Sequence, residues 1–369
     1  MSKPVGMARV TDLRCELYAI PTGEALDDAT QSFDELELVV VRVETDAGTG
    51  GLGFTYTIGE GGDAIRAFVE GVLAPVLDGG SAAPRAARDR LRAATTFVGR
   101  EGISELAISA VDIALWDALG RRVGAPLFEL LGGTRRTIPA YLTDGGWLQY
   151  DEATLVSNAE DVAERGFTGM KMKVGRSHAE DESRVRAVRD ALPPDVDLML
   201  DGNCAYTRPE ARRLAGRLTD VPVAWLEEPL AKGDYHGHAD LRERIDVPIA
   251  LGENYYNQTQ FEQAMAAGAI DVVQPDVCRV GGISGWVAVA EAARGRGLPV
   301  VPHYVEPLHV HLASAFAHVP YIERHSTVLD SVLDEPLTVH QEAESFRPPD
   351  EPGHGLRFEG LDRYRKSRP

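Results

Sequence analysis

Residues 223–254 read VAWLEEPLAKGDYHGHADLRERIDVPIALGEN. VAWL is a short apolar run closed by Glu227 and Pro229, PIALG is a second closed by Glu253, and the polar segment between them has room for one helix. The same unit repeats in both directions. Backward it gives VDLMLDGN with Asp201, GMKMKVG with Lys171 and Lys173, and IPAYL from Ile138; forward it gives DVVQPDV with Asp276, LPVVPH with His303 and YIER with Glu323. From Asp201 through Glu227, Glu253, Asp276 and His303 to Glu323 the steps are 26, 26, 23, 27 and 20 residues, the length of a strand plus a helix. Such alternation calls for a parallel sheet, and seven or eight repeats favour closure into a barrel. The C-terminal ends of barrel strands converge on one pocket, so these residues are expected to face each other.

Upstream the pattern differs. Residues 8–56 read as a strand, a polar excursion GEALDDATQSF, and a hairpin of ELELVVVRVET and GGLGFTYT turning at Asp46-Ala-Gly. The excursion is longer than an average turn and is expected to be a mobile loop with a function. ISELAISAVDIALWDALG follows as a helix, with Ile108, Val111, Leu115 and Leu119 on one face and Gly120 near its end. An antiparallel sheet followed by helices is an α+β unit. The expected organisation is an α+β unit over 1–135, a barrel over 136–329 and a segment over 330–369 that returns to the first unit.

A chain of 369 residues with 44% hydrophobic content can bury a large core, and two structural units are expected rather than one. No run of 18 apolar residues occurs, and the start MSKPVGMARV lacks an apolar signal segment, so a cytoplasmic enzyme without membrane contact is expected. Cys15, Cys204 and Cys278 are too scattered for a disulfide framework or a CxxC zinc site and are read as reduced. The formal net charge of −19 argues against nucleic acid or anionic membrane as partners.

Lysine occurs only at positions 3, 171, 173, 232 and 366. Two lysines on one face of a buried strand therefore suggest a need for a titratable amine, which arginine cannot supply. Burial and the like charge of Lys171 are expected to lower the Lys173 pKa. Any one of Asp201, Glu227 and Glu253 could be a salt-bridged strand end, but three in register form an oxygen-only site suited to magnesium, whereas zinc would recruit histidine or cysteine. Asp276 can fix the tautomer of His303 and leave its other nitrogen as a base. Asn203 is placed to hydrogen-bond a lysine or a metal ligand. Two bases beside a divalent cation suit removal of a proton alpha to a carboxylate, whose enediolate needs a cation and hydrogen-bond donors; Glu323, kept protonated, would be one donor.

On KMK at 171–173, DGN at 201–203, EEP at 227–229, GEN at 252–254, the Asp276–His303 pair and Glu323, the chain resembles the enolase superfamily, mandelate racemase subgroup, over nearly its full length. That resemblance implies an α/β fold, a modified (β/α)7β-type TIM barrel with an N-terminal α+β capping domain. It implies Mg2+ on Asp201, Glu227 and Glu253, bases at Lys173 and His303 on opposite faces of the alpha carbon, Lys171 on the substrate carboxylate, Asp276 orienting His303, and Glu323 stabilising the enediolate. It also implies a small-molecule carboxylate substrate and assembly as a homo-oligomer. YHGHADL, VVQPDVCRVGGIS and PHYVEPLHVHLASA resemble acid-sugar dehydratases of the galactarate and talarate type. The leading expectation is a magnesium-dependent dehydratase giving a 2-keto-3-deoxy acid; the alternatives are a racemase, epimerase or lactone cycloisomerase with the same bases, a non-catalytic sugar-acid scaffold, and a zinc amidohydrolase. Asp27 and Asp28 would bond sugar hydroxyls more naturally than a second carboxylate, which tilts the reading toward a monocarboxylate.

Several residues are set aside. His309 and His311 sit in a helical pattern and read as ordinary helix positions. Trp147 reads equally as a pocket cover and as a loop residue packed on the cap. Arg279 with Gly281-Gly282 lacks the spacing of a phosphate-binding turn. Glu228 is expected to point away from the site.

Overall fold

A computed structural model describes residues 8–134, 136–326, 328–335 and 344–367. Most of the start MSKPVGMARV, read above for a signal segment, and part of the tail lie outside the described residues.

The first unit is an antiparallel sheet of β1 (Val10–Asp27), β2 (Ser32–Thr45) and β3 (Gly50–Ile58), in that order. The GEALDDATQSF stretch is not the expected loose excursion. After a break between Pro21 and Leu26 the ladder resumes with Leu26 opposite Phe33 and Asp27 opposite Ser32, so the hairpin runs to its tip. The physical reason is Asp28, whose Oδ1 accepts from the N–H groups of Thr30 and Gln31 at 2.6 and 3.0 Å and closes a tight turn. The tip rests on the barrel: Asp27 N–H donates to Gln149 Oε1 at 2.9 Å, and Leu148 N–H donates to Asp27 O at 3.0 Å.

Helix Ile103–Val123 packs across this sheet at a distance only glycine permits. A Cβ on Gly51 would lie 2.0 Å from Ala114 O, and one on Gly53 would lie 2.0 Å from Ala110 O. The helix runs past Gly120 and ends against Gly124 at φ 72. Gly120 instead admits the returning tail, since a Cβ there would meet Gly353 Cα at 2.5 Å.

The second unit contains parallel strands β4 (Ile138–Leu142), β5 (Gly169–Lys173), β6 (Asp197–Asp201), β7 (Trp225–Glu227), β8 (Ile249–Leu251) and β9 (Val272–Val273), with β10 (Ile322–Arg324) beside β4. The place between β9 and β10 is held by residues 299–301, where Val300 bridges Val273 and its N–H donates to His318 O at 3.0 Å. A helix separates each consecutive pair, from Glu152–Arg165 to Glu306–Ala315. This is the expected (β/α)7β barrel with an antiparallel sheet as its cap. Tyr141, Met199, Trp225, Ala250, Val272 and Val301 form a separate apolar cluster, to which the barrel strands contribute.

The tail touches both units. β11 (Ser345–Phe346) pairs antiparallel with Pro139 and Ile138, then Leu127 N–H donates to Gly353 O at 2.7 Å and Lys366 N–H donates to Leu17 O at 2.9 Å. Among the described residues no helix is long and apolar enough to cross a membrane.

Candidate active site

Register places the polar side chains together. Lys173 on β5 is paired with Asp201 on β6, and Asp201 with Glu227 on β7. Glu253, Asp276 and His303 follow just beyond the ends of β8, β9 and Val301, because those strands stop two or three residues earlier than the apolar runs suggest. All of these groups are buried except His303, which is partly so.

Ligand atoms of Asp201, Glu227 and Glu253 lie within 4.8 Å of one another. Glu253 Oε2 is buried without a hydrogen bond, and His303 Nε2 stands 3.3 Å from it. Three converging carboxylates with unspent acceptor capacity fit a hard divalent cation. Burial, added to by the neighbouring acids and opposed by Lys171, pushes Glu227 up to about 8.

The lysines are paired with the same acids. Lys173 Nζ donates to Asp201 Oδ2 at 2.5 Å, while Lys171 Nζ lies 2.9 Å from Glu227 Oε1 and 2.5 Å from Glu323 Oε1. Burial works against both ammonium groups, yet Asp201 holds Lys173 above its ordinary pKa, and Glu227 with Glu323 holds Lys171 well above. With Asp201 as its partner, Lys173 shifts opposite to the expected lowering: the carboxylate contact outweighs the neighbouring lysine.

Glu323 also differs from expectation. Burial favours its neutral form, but Lys171 and His325 hold it well below the carboxylate range. It accepts from Thr143 Oγ1 at 2.7 Å and from Tyr304 N–H at 2.8 Å, with His325 Nε2 3.3 Å away. It is a carboxylate surrounded by donors, not a protonated donor.

His303 Nδ1 lies 3.0 Å from Asp276 Oδ2, which also accepts from Tyr56 OH at 2.5 Å; Asp276 Oδ1 accepts from Cys278 N–H at 2.7 Å. Burial disfavours the imidazolium, but Glu253 and Asp276 raise the His303 pKa overall. Asn203 turns its backbone N–H to Asp201 Oδ1 at 2.9 Å and its Nδ2 toward Glu253 Oε1 at 3.5 Å, leaving Oδ1 buried and unpaired.

A cavity of about 950 Å³, counting the space open at its mouth, sits above these groups. Lys173, Asn203, Glu253 and His303 line it, and so do residues that sequence reasoning set aside or passed over. Trp147 is buried, with its ring centroid 5.5 Å from Lys173 Nζ and edge-on to Phe33. Arg279 donates to Asn254 Oδ1 at 3.2 Å. His325 sits between Asp144 at 3.1 Å and Glu323, which push it up to about 9 against the effect of burial. Tyr56 and His325 carry no motif; only their place beside Asp276 and Glu323 marks them. Glu228 turns behind the ligands at φ 36 and accepts from Asn254 Nδ2 at 2.7 Å. His309 and His311 are buried on helix Glu306–Ala315, and His309 braces Val277 N–H and Tyr304 O at 3.2 and 2.5 Å. Among the described residues, the left-handed non-glycine ones are Asn203, Cys204, Glu228, Tyr304 and Val305, all in loops at this end of the barrel.

Residues 154–362 match the enolase C-terminal domain-like family, and residues 18–132 match the mandelate racemase / muconate lactonizing enzyme N-terminal domain. This chain belongs to the enolase superfamily. Within the superfamily it is 36% identical to the 3,6-anhydro-alpha-L-galactonate cycloisomerase of Streptomyces coelicolor, over 95% of this chain and 98% of that one. It is 33% identical to the L-talarate/galactarate dehydratase of Salmonella typhimurium, over 89% of this chain and 84% of that one. Among solved enolase-superfamily structures, a Streptomyces coelicolor racemase with bound magnesium superposes with a TM-score of 0.92 at 35% identity, covering 97% of this chain and 100% of that one. L-talarate dehydratase from Polaromonas, complexed with Mg and L-glucarate, gives 0.91 at 34% identity, covering 98% of each. The cofactor is Mg2+, and the acidic triad is the group that fits it.

Proposed function

We propose that this enolase-superfamily enzyme, whose relatives carry out magnesium-dependent acid-sugar chemistry, is a dehydratase that removes the proton alpha to a carboxylate and expels the β-oxygen. The observation that carries this is that Lys173, at the end of β5, and His303, just beyond Val301, line one cavity, with Asp201 of the acidic triad on the first and Glu253 on the second. Mg2+, when bound to Asp201, Glu227 and Glu253, would compete with Lys173 for Asp201 and neutralise charge on the substrate carboxylate and the enediolate.

Lys171, an ammonium held by Glu227 and Glu323, would bind the substrate carboxylate. Asn203 Oδ1 is free to accept from the α-hydroxyl. Lys173, once parted from Asp201 and having given its own proton to solvent, would take the α-proton on Nζ as a neutral amine, and the C–H electron pair becomes the enediolate double bond. As the β C–O bond breaks, its electrons leave on oxygen, which takes the Nε2 proton of His303; the enol then tautomerises to a 2-keto-3-deoxy acid. Asp276 would keep His303 aimed by holding Nδ1.

A second reading is favoured by the similarity to a cycloisomerase and a racemase. If His303 returns its proton to the alpha carbon the outcome is racemisation or epimerisation, and if the β-oxygen belongs to a ring the ring opens without loss of water. The scaffold reading would leave the paired bases without purpose. Against a zinc hydrolase, both ring nitrogens of His309 are on backbone partners, and His311 is fully buried in helix Glu306–Ala315 with Nε2 on His354 O.

Proton NMR with Mg2+ in deuterated water, over aldonic, uronic and aldaric acids, tests the proposal. A 2-keto-3-deoxy product from the wild type, absent with Lys173→Met and His303→Asn, is the expected result. Undiminished turnover by both variants would overturn it.

A further inference from the structure

His325 stands between two acids. Its Nδ1 lies 3.1 Å from Asp144 Oδ1 and its Nε2 lies 3.3 Å from Glu323 Oε1. A neutral imidazole would turn an acceptor nitrogen on one of these carboxylates, so both nitrogens carry hydrogen and the ring is an imidazolium. The local fold fixes it there. Asp144, in the short 3-10 turn Asp144–Gly146 after β4, is anchored by Ser326, whose N–H and Oγ both donate to Oδ2 at 2.7 Å. The ring stands edge-on to Tyr304, with centroids 5.1 Å apart, and lines the active-site cavity.

The pair repeats the Asp276–His303 arrangement with one difference: His303 Nε2 faces the metal ligand Glu253, whereas His325 Nε2 faces Glu323. Glu323 receives Lys171 Nζ, Thr143 Oγ1 and His325 Nε2 on one oxygen, Oε1. Such crowding suits a carboxylate in the resting enzyme. It does not suit turnover, because an enediolate held by Lys171 brings a second anion against Glu323 and draws on the same ammonium. Two anions sharing a buried site raise the proton affinity of one of them. The nearest transferable proton is on His325.

We propose that His325 is a positioning residue acting through Glu323: as the enediolate forms, the Nε2 proton of His325 passes to Glu323 Oε1, and the neutral carboxyl group turns its O–H to the enediolate oxygen. The N–H bond breaks with its electron pair left on Nε2, and the O–H bond forms on a lone pair of Oε1. Asp144 holds the hydrogen that stays on Nδ1, so the ring ends as one neutral tautomer. When the enediolate collapses the proton returns, and none is gained or lost over the cycle. Glu323 can thus be ionised at rest and still act as the donor expected of it. The proposal rests on the α-proton abstraction above.

Asp144 and Glu323 are the acids that face the ring, Tyr304 and Trp147 flank it, and Glu306 of helix Glu306–Ala315 adds to the field. Lys171 reaches it through Glu323, and the adjacent Arg324 is turned to Glu306 and Asp330. The two facing acids push His325 up to about 9 against burial, so the proton is in place at neutral pH and is lost as pH rises through about 9.

Nitrogen-15 NMR of histidine-labelled, magnesium-loaded enzyme, with His325→Asn identifying the resonance, tests both states. At rest the ring should be doubly protonated at pH 7, and Asp144→Asn should lower its titration by at least about one pH unit. With glycolohydroxamate, whose anionic oxygens mimic the enediolate, Nε2 should lose its proton while Nδ1 keeps its own. A neutral ring at rest, or an imidazolium that persists in the complex, would overturn the proposal. Kinetics separate the relay from packing. Glu323→Gln carries a fixed N–H donor, so adding His325→Asn to it should slow α-proton exchange little further, whereas His325→Asn alone should slow it by about 100-fold. Equal losses in the two backgrounds would also overturn the proposal. A proton shift in the complex without exchange from any acid would sustain the relay and remove the catalytic reading.

Discussion

Replacing Tyr56 by phenylalanine removes one hydroxyl from a fully buried carboxylate and leaves the ring's packing against Tyr304 in place. Asp276 has three donors on two oxygens: Tyr56 OH and His303 Nδ1 on Oδ2, and Cys278 N–H on Oδ1. Burial alone would raise its pKa, and these donors with the His303 charge bring it below the ordinary value. A hydrogen bond to a charged group contributes about 1.5–3 kcal/mol, so the variant should lose about that much stability. The freed lone pair strengthens the remaining contact, which favours the imidazolium. One pKa unit corresponds to about 1.4 kcal/mol, so the His303 pKa should rise by about one unit. In the proposed elimination His303 is the proton donor, so its protonated form should persist to higher pH, and product formation at pH values above both pKa values should rise by up to about tenfold. The assay is the pH dependence of 2-keto-3-deoxy acid formation, beside thermal melting. Tyr56 itself stays protonated, because burial and Asp276 push it well above 10. A lower melting temperature with an unmoved or acid-shifted His303 limb would refute the reasoning.

Magnesium binding to the apo enzyme at pH 7 should release protons, since burial raises the Glu227 and Glu253 carboxyls above their ordinary values and the cation must displace the Lys173 ammonium from Asp201; calorimetry in two buffers of different ionisation enthalpy reads this, and zero release at pH 7 would contradict it. His309 and His311 are buried neutral, with burial lowering them to about 4 and about 3. The unfolded chain binds their protons from about pH 6.5 downward, so stability falls as pH drops from 6.5, by about 2 kcal/mol for each at pH 5. Denaturant melts at pH 5 and 7 check this, and double replacement by asparagine or glutamine should flatten the dependence. Gly53→Ala drives a Cβ to 2.0 Å from Ala110 O in helix Ile103–Val123. Since the obstacle is backbone, the loss should exceed the roughly 1–3 kcal/mol of ordinary overpacking, visible as loss of soluble folded protein; an unchanged melting temperature would show that the sheet and helix can part freely.

The barrel was legible because each strand is an apolar run of the right length closed by a polar residue, a local pattern that needs no tertiary knowledge. Lys171, Lys173, Asp201 and Glu227 followed from register alone, and Glu253, Asp276 and His303 from their nearness to strand ends. Tyr56 was not legible, because it reaches Asp276 from another unit across 220 positions of sequence. His325 lacked a signal for a similar reason: its partner Asp144 lies beyond the first barrel strand. The hairpin tip was misread because length suggests a loop, whereas the Asp28 turn lets pairing continue. The direction of the Lys173 shift was not legible because Lys171 is two positions away in sequence whereas Asp201 is brought in only by folding, and for Glu323 the hidden partners are Lys171 and His325.

Asn203, Cys204, Glu228, Tyr304 and Val305 hold left-handed backbone conformations that cost a non-glycine residue about 1–2 kcal/mol each. They cluster around the acidic triad and the dyad, so the scaffold elsewhere keeps the functional loops wound against their preference. Directed evolution for heat resistance would find easy gains here, for instance glycine at Cys204, and such gains would loosen the very loops that aim the ligands and the base. Selection for robustness and selection for turnover should therefore pull these five positions in opposite directions.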